Sequence, residues 1–206
     1  MSTYTYEFEN RNEKLETYEW DNTWIDHANL ENLTRVLYIG DSISCATRIV
    51  ATAKAEGRLY FDGFGTSKAL DNPCFQDALR VFTGQQGTRK AIVFNNGLHG
   101  WHLDDETEYA DAYEKMINFL LTEFPETPLA LITTTHVASE DREARVIARN
   151  NVMKALAAKY DLPVIDFYTI TSEHADLLSA DGVHLSKSGY ALIAEELVKR
   201  VCEIIA

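Results

Sequence analysis

The sequence predicts an α/β fold in which a mostly parallel, five-stranded sheet is covered by helices. From residue 35 onward, short and nearly continuous apolar runs alternate with longer stretches of helical period. Such runs are typical of strands buried on both faces, as strands are in parallel sheets. The chain has 206 residues, of which 46% are hydrophobic, and this is enough for one domain with its own core.

The elements follow one another in a regular order. The predicted strands are bounded by Gly, Asn, Asp or Thr and lie at 36–40, 58–61, 91–94, 129–133 and 163–167. The predicted helices lie at 43–55, 74–83, 106–123, 140–160 and from 188 onward. In the third helix, Tyr109, Tyr113 and Met116 recur at three- and four-residue steps and form one apolar stripe. Ligands of such sheets bind outside the carboxyl ends of the strands, so we expect the chemistry there.

The N-terminal segment differs in composition from the rest of the chain. Eight acidic residues face three basic ones in residues 1–35, and the densest apolar cluster is Trp20, Trp24 and Ile25. We therefore predict an acidic arm, 1–34, packed on a domain formed by 35–206. Trp20 and Trp24 make the arm a candidate for a homodimer contact.

Charge excludes two classes of partner. Lysines and arginines number 19 and acidic residues 32, and the net charge of −13 repels phosphate backbones and anionic lipid headgroups. We therefore expect neither a nucleic acid nor a membrane as a partner. The first ten residues are polar and acidic, unlike a signal peptide, and no run of 18 apolar residues is present. The expected location is the cytoplasm.

The sequence predicts no metal and no cofactor. Three cysteines are an odd number at unrelated spacings, which fits neither a zinc site nor a disulfide framework, so we expect reduced thiols. The spacing of His99, His102, Asp104 and Asp105 matches no recognised metal site.

A serine follows the first predicted strand, in Gly40-Asp41-Ser42-Ile43. At a tight turn from strand to helix the Ser42 hydroxyl can be exposed, and its own N–H points from a helix N-terminus, where negative charge is stabilised. This is the geometry that a nucleophile needs. Asp41 and Ser42 are also residue types that commonly cap helices, so the four residues alone leave both interpretations open.

An aspartate and a histidine precede the last helix, in Asp181-Gly182-Val183-His184. An aspartate three residues before a histidine on an irregular loop can accept its Nδ1–H, which leaves Nε2 to take a serine proton. A turn followed by an incidental histidine is the alternative. Together the two motifs are more specific than either one, because both fall on the predicted carboxyl edge of one sheet.

These residues resemble two blocks of the SGNH (GDSL-like) hydrolase superfamily. Gly40-Asp41-Ser42-Ile43 resembles its first block, and the run from Asp181 to Leu185 with Ser188-Gly189-Tyr190 resembles its last. The resemblance covers about residues 35–200. It implies a flavodoxin-like three-layer α/β/α sandwich and a serine esterase without metal. It also implies Ser42 as nucleophile and oxyanion donor, His184 as general base and Asp181 as the acid that orients His184.

The middle blocks depart from the family pattern, in which a glycine and an asparagine complete the oxyanion hole. Gly63 or Gly65 fits the glycine position, and so does Ser67 if the loop aligns two residues later. Asn95 or Asn96 fits the asparagine, whereas strict alignment on Gly97 places His99 there. We predict Gly65 and Asn95. Two or three donors aimed at the oxyanion are needed, and each is worth roughly 3 kcal/mol of barrier.

The expected function is hydrolysis of a small-molecule ester that carries a short acyl group such as acetyl, on a carbohydrate for example. The predicted substrate contacts near the serine are Asp41, Ser67, Asn96, His99 and His136. The alternatives are a thioesterase or lysophospholipase with the same triad, and a catalytically silent binding module on the same fold. Arg142, Arg145 and Arg149 recur at helical steps, a pattern typical of a solvated basic face.

Overall fold

The computed structural model describes residues 14–206, so the prediction about the first ten residues lies outside the described part of the chain. Six strands form one sheet in the order β1-β3-β2-β4-β5-β6. In chain order the strands are Asp21–Trp24 (β1), Arg35–Gly40 (β2), Tyr60–Thr66 (β3), Ala91–Phe94 (β4), Leu129–Ile132 (β5) and Val164–Ile165 (β6). Among the strand pairings of residues 14–206, only that of β1 with β3 is antiparallel, so the mostly parallel sheet is confirmed.

Helices cover both faces of the sheet. In chain order they are Ser42–Lys54 (α1), Phe75–Thr83 (α2), Glu106–Glu123 (α3), Glu140–Lys159 (α4), Phe167–Ser172 (α5) and Lys187–Ile205 (α6). Helices α1, α5 and α6 pack on one face, mainly in the cluster around Val36 and Tyr38. Helices α2 and α3 pack on the other face around Leu37 and Ile39. This alternation along β2 gives the three layers that the sequence predicts. No helix in residues 14–206 is long and apolar enough to cross a lipid bilayer.

The number of strands is one more than predicted. Strand β1 lies in the N-terminal segment, and all four of its side chains are exposed, so it has no apolar pattern to mark it. Its backbone pairs with β3, and Asp21 forms an ion pair with Lys68 at 2.7 Å. The segment 14–34 therefore contributes an edge strand to the sheet.

Two other strands differ from their predicted bounds by more than one residue. Strand β3 begins at Tyr60 and runs through Asp62-Gly63-Phe64-Gly65, a run whose glycines and aspartate are typical of a turn. Asp62 is tolerated inside the sheet because Arg35 and Arg89 lie 2.8 and 3.2 Å from its two carboxylate oxygens. The last predicted strand shortens to Val164–Ile165, since Asp166 caps α5 by accepting the Thr169 N–H.

The sheet positions the candidate nucleophile directly. Strand β2 ends at Gly40, and α1 begins two residues later at Ser42. A Cβ atom on Gly40 would lie 2.7 Å from the Cβ of Ser44, so only glycine lets the chain turn this sharply into the helix. Ser42 is therefore fixed at the carboxyl edge of a central strand.

Candidate active site

Ser42 is the first residue of α1, where backbone N–H groups point out of the helix end. The cap is Asp41, whose carboxylate accepts the Ile43 N–H at 2.9 Å and whose side chain is buried. Asp41 therefore holds the turn, and Ser42 is left at the helix end rather than acting as its cap. The positive end of the helix dipole favours a negative charge at this point.

The Ser42 hydroxyl belongs to a chain of hydrogen bonds. Its Oγ lies 2.8 Å from Nε2 of His184, and Nδ1 of the same ring lies 2.7 Å from a carboxylate oxygen of Asp181. A carboxylate can only accept, so Nδ1 carries the proton and Nε2 is the acceptor toward the serine. The structure thus brings together the three residues that the two sequence motifs single out.

The loop that carries Asp181 and His184 is fixed by its own backbone. The Ser179 N–H donates to the His184 carbonyl at 2.7 Å, and Gly182 has a φ of 73°, in the left-handed region that glycine favours. The Ala138 N–H donates to the Gly182 carbonyl at 2.8 Å. This ties the loop to the chain that follows β5.

Hydrogen bonds keep Asp181 ionised. Partial burial raises its pKa, but the N–H groups of Val183 and His184 at 2.9 Å and the Ser179 hydroxyl at 2.7 Å all donate to one oxygen. These bonds, with the imidazole on the other oxygen, outweigh burial and hold the pKa of Asp181 well below its usual range. The side chain is 47% exposed and that of His184 is 32% exposed, so solvent reaches the pair.

The predicted backbone donors on β3 are directed elsewhere. The Ser67 N–H donates to the Trp20 carbonyl at 3.1 Å, on the β1 side of the strand. N–H groups two residues apart in a strand point the same way, so the Gly65 N–H also faces β1, opposite Asn22. Gly65 and Ser67 therefore do not present their N–H groups to Ser42, which corrects the prediction of a Gly65 donor. The glycine is needed for packing, because a Cβ there would lie 2.2 Å from the Cys45 sulfur.

The Asn95 side chain donates its hydrogen bonds to residues at β5 rather than to the predicted oxyanion site. Its side-chain amide donates to the Ile132 carbonyl at 2.8 Å and to the Thr134 hydroxyl at 3.0 Å. Both amide hydrogens are then used, which corrects the prediction of an Asn95 donor. Asn96 is placed differently: its amide donates to the Lys68 carbonyl at 2.8 Å. That bond joins the segments that follow β4 and β3, the two strands that flank β2 in the sheet.

His99 is buried in the loop after β4 and contacts the N-terminal arm. Its Nδ1 lies 3.6 Å from the Glu16 carboxylate, and its ring stands edge-on to that of Trp20 at 6.1 Å. Glu16 also accepts the Gly100 N–H at 2.9 Å. Trp20 and Ser67 bond to each other through backbone and hydroxyl groups. Two of the predicted substrate contacts, Ser67 and His99, are thus covered by the arm.

One arginine predicted as part of a solvated face is buried. Arg149 is 4% exposed, and its guanidinium donates to the carbonyls of Gly97, His99, Gly100 and Leu103 at 3.1, 2.7, 2.6 and 3.3 Å. Burial lowers the pKa of Arg149 to about 10, so it stays charged near neutral pH. The sequence offered no local signal for this role, because the four acceptors are backbone atoms about fifty positions away.

The remaining candidates separate into distinct pairs. His136 lies after β5 with its Nδ1 2.8 Å from Glu143, a partner that sequence reasoning missed. His102 lies 2.9 Å from Asp71, and Asp104 pairs with Arg145 at 2.8 Å. His99, His102 and Asp104 therefore belong to three separate pairs, and Asp105 caps α3.

Comparisons with known proteins bear on the fold and the family. The model of the GDSL-like lipase/acylhydrolase family matches residues 89–192, which is just over half of the chain and includes Asp181 and His184, while Ser42 precedes the match. A comparison with curated proteins gave no match.

Solved structures share the fold. The lipase/acylhydrolase from Enterococcus faecalis is 20% identical, with a TM-score of 0.65 over 82% of this chain and 95% of that one. The acetyl xylan esterase AlAXEase is 17% identical, with a TM-score of 0.66 over 81% of this chain and 99% of that one. The C-terminal catalytic domain of Streptococcus pneumoniae peptidoglycan O-acetyltransferase A is 16% identical, with a TM-score of 0.64 over 84% of this chain and 94% of that one.

The resemblance to SGNH hydrolases is thereby confirmed, as is the predicted class of fold. The chain belongs to the GDSL-like lipase/acylhydrolase family, and it is a hydrolase of ester bonds.

Proposed function

We propose that the protein is a serine esterase that removes a small acyl group, such as acetyl, from the alcohol half of a small ester, for example a carbohydrate. The observation that carries the proposal is the continuous chain of hydrogen bonds from Asp181 through His184 to Ser42, with distances of 2.7 and 2.8 Å. These are the distances of a nucleophile joined to a general base that is itself oriented by a carboxylate.

The reaction proceeds through an acyl-enzyme. Nε2 of His184 accepts the Ser42 proton while Oγ attacks the ester carbonyl carbon. The tetrahedral intermediate collapses, the C–O bond to the alcohol breaks, and the alcohol oxygen takes the proton from Nε2. A water molecule then gives a proton to Nε2 and attacks the acyl carbon, and the Ser42 oxygen leaves with that proton. Asp181 stays ionised throughout and stabilises the imidazolium.

The oxyanion receives two donors in this proposal. The Ser42 N–H stands at the end of α1, where the helix dipole favours negative charge. The Asn96 amide uses one hydrogen for Lys68 and has a second, and its bond joins the segments that follow the two strands flanking β2. Asn96→Ala should lower kcat by about 10²–10³ with little change in KM, because the donor acts on the developing charge.

Two observations support a small acyl group and transfer to water. His184 and Asp181 are open to solvent, so water can reach the acyl-enzyme. One structure with the same fold bears the name of an acetyl xylan esterase, in agreement with a short acyl group.

Hydrolysis of p-nitrophenyl acetate, butyrate, octanoate and palmitate at pH 6 to 9 tests the proposal. Wild type should turn over the acetate fastest, Ser42→Ala should lose at least about 10³-fold, and Ser172→Ala, an exposed serine on α5, should match wild type. Rates that rise with chain length would favour the lipid or thioester alternative. Equal inactivity of wild type and Ser42→Ala on every ester would overturn the proposal in favour of the binding module.

A further inference from the structure

A second imidazole–carboxylate cluster lies at the carboxyl edge of the sheet. Nδ1 of His136 lies 2.8 Å from one oxygen of Glu143, and the Tyr168 hydroxyl donates to the same oxygen at 2.6 Å. The other oxygen accepts the Val137 N–H at 3.0 Å. The backbone N–H of His136 donates to the Thr171 hydroxyl at 2.9 Å. Residues from the β5 loop, α4 and α5 thus hold one histidine ring in place.

This arrangement fixes the hydrogen-bonding role of each ring nitrogen. The Glu143 carboxylate accepts, so Nδ1 of His136 carries the proton and Nε2 of the neutral ring is an acceptor. Burial, together with the bond to Glu143 and its charge, raises the pKa of Tyr168 to about 12, so Tyr168 remains a donor to Glu143. Among the described residues, the hydrogen bonds of His136 are those of its N–H and Nδ1. The side chain is 20% exposed.

The segment 133–138 contacts both parts of the candidate site: it lines a cavity beside Asp41, and it is bonded to the loop that carries Asp181 and His184. Thr133, Thr134 and Thr135 line the small cavity that Asp41 also lines, one residue before Ser42. Two residues after His136, the Ala138 N–H is bonded to the Gly182 carbonyl, beside Asp181. Along the chain, His136 therefore lies between a residue that lines the cavity beside Asp41 and a residue that is bonded to the loop of Asp181 and His184.

We propose that His136 binds the alcohol half of the ester, by accepting at Nε2 a hydrogen bond from a free hydroxyl of that alcohol. The inference rests on the proposed esterase function and narrows its substrate to esters of polyols, such as partly acetylated sugars. A ring whose tautomer and orientation are already fixed loses little entropy when it binds such a hydroxyl. A polar site of this kind also disfavours an alcohol that lacks the hydroxyl, because the acceptor is then desolvated without a partner.

Two esters with the same carbon skeleton test this assignment. Glycerol monoacetate carries two free hydroxyls, and propyl acetate carries none. The quantity measured is the ratio of kcat/KM for glycerol monoacetate to that for propyl acetate, because any general loss of activity cancels in the ratio. His136→Phe keeps a planar ring and removes both nitrogens, whereas His136→Gln restores an acceptor. His102→Phe is the matched control, since His102 also pairs with a carboxylate, Asp71.

The ratio should fall about five- to tenfold in His136→Phe, recover partly in His136→Gln and stay at the wild-type value in His102→Phe. An unchanged ratio in His136→Phe, which is what equal losses on both esters would give, would overturn the assignment. His136→Ala replaces the Phe variant if circular dichroism shows that the latter does not fold, and the same fall is expected. Hydrolysis by wild type that does not depend on Ser42 would instead overturn the esterase proposal together with this one.

Discussion

Replacing Arg149 by methionine should destabilise the protein strongly, because this side chain donates hydrogen bonds to four carbonyls of the loop after β4. Methionine keeps the apolar stem that packs on α3 and the loop, but it removes every donor. The carbonyls of Gly97, His99, Gly100 and Leu103 then lose their shared partner in an environment where Arg149 itself is 4% exposed. The guanidinium also leaves the faces of Trp101 and Tyr109, which it covers at 4.7 and 4.5 Å.

The magnitude follows from the two shortest bonds. Each bond from a charged donor contributes roughly 1.5–3 kcal/mol, so the bonds to the His99 and Gly100 carbonyls together contribute roughly 3–6 kcal/mol. The two longer bonds add less. Removal of the buried charge works in the opposite direction, since burial disfavours the guanidinium and lowers its pKa. We expect a net loss of about 3–5 kcal/mol, as is usual when one partner of a buried charged network is removed.

Urea unfolding followed by circular dichroism measures this loss. With a slope of about 2 kcal/mol per molar urea, the midpoint of Arg149→Met should fall by about 2 M. Arg80→Met is the control: Arg80 is 46% exposed and pairs with Asp77 and Glu123, and exposed ion pairs of this kind contribute little to stability. Equal shifts of the two midpoints would refute the role given to Arg149.

Three further outcomes are expected. Asp181→Asn should lower kcat/KM by about 10³–10⁴. Because the folded-state pKa of Asp181 is depressed, its contribution to stability is present above about pH 4 and is lost as the pH falls further. The urea midpoints of wild type and the variant should therefore differ at pH 7 and converge at low pH. Thr135→Val should not lower the unfolding free energy, since its buried hydroxyl has no hydrogen-bond partner among the described residues, whereas Thr133→Val should lower it by about 1–3 kcal/mol, because the part-buried Tyr168 N–H loses its acceptor and Asp166 loses one of its donors. Gly65→Ala should lower the unfolding free energy by about 1–3 kcal/mol in the same assay, because the new methyl group meets the Cys45 sulfur. Adding Cys45→Ala should recover part of this loss, and additive effects of the two substitutions would contradict the explanation.

Elements with a strong local signal could be predicted from the sequence. The strand at 91–94 and the helix at 106–123 have the predicted bounds, the latter because Asp105 caps it and its apolar stripe is regular. Strand β1 could not be predicted, since its exposed side chains follow no pattern and only backbone pairing with β3 defines it.

The candidate site also contains residues that could be predicted from the sequence and residues that could not. Asp181 and His184 are three residues apart and bond directly, so their pairing is a local property of the loop. The directions of the Asn95 and Asn96 side-chain amides depend on acceptors far along the chain. The acceptor is the Ile132 carbonyl for Asn95 and the Lys68 carbonyl for Asn96. No pattern within a few residues specifies those acceptors, which is why the predicted oxyanion donors had to be corrected.

Pairing with a carboxylate does not by itself mark a catalytic histidine in this acidic chain. His27, His102 and His136 lie 2.7, 2.9 and 2.8 Å from carboxylate oxygens, much as His184 does. His184 differs because its second nitrogen lies 2.8 Å from the hydroxyl at the N-terminus of α1. Loss of activity on replacing His184 alone would therefore also fit a structural histidine. Replacing Ser42 removes one oxygen and leaves the pair intact, so the serine variant is the sharper test of the mechanism.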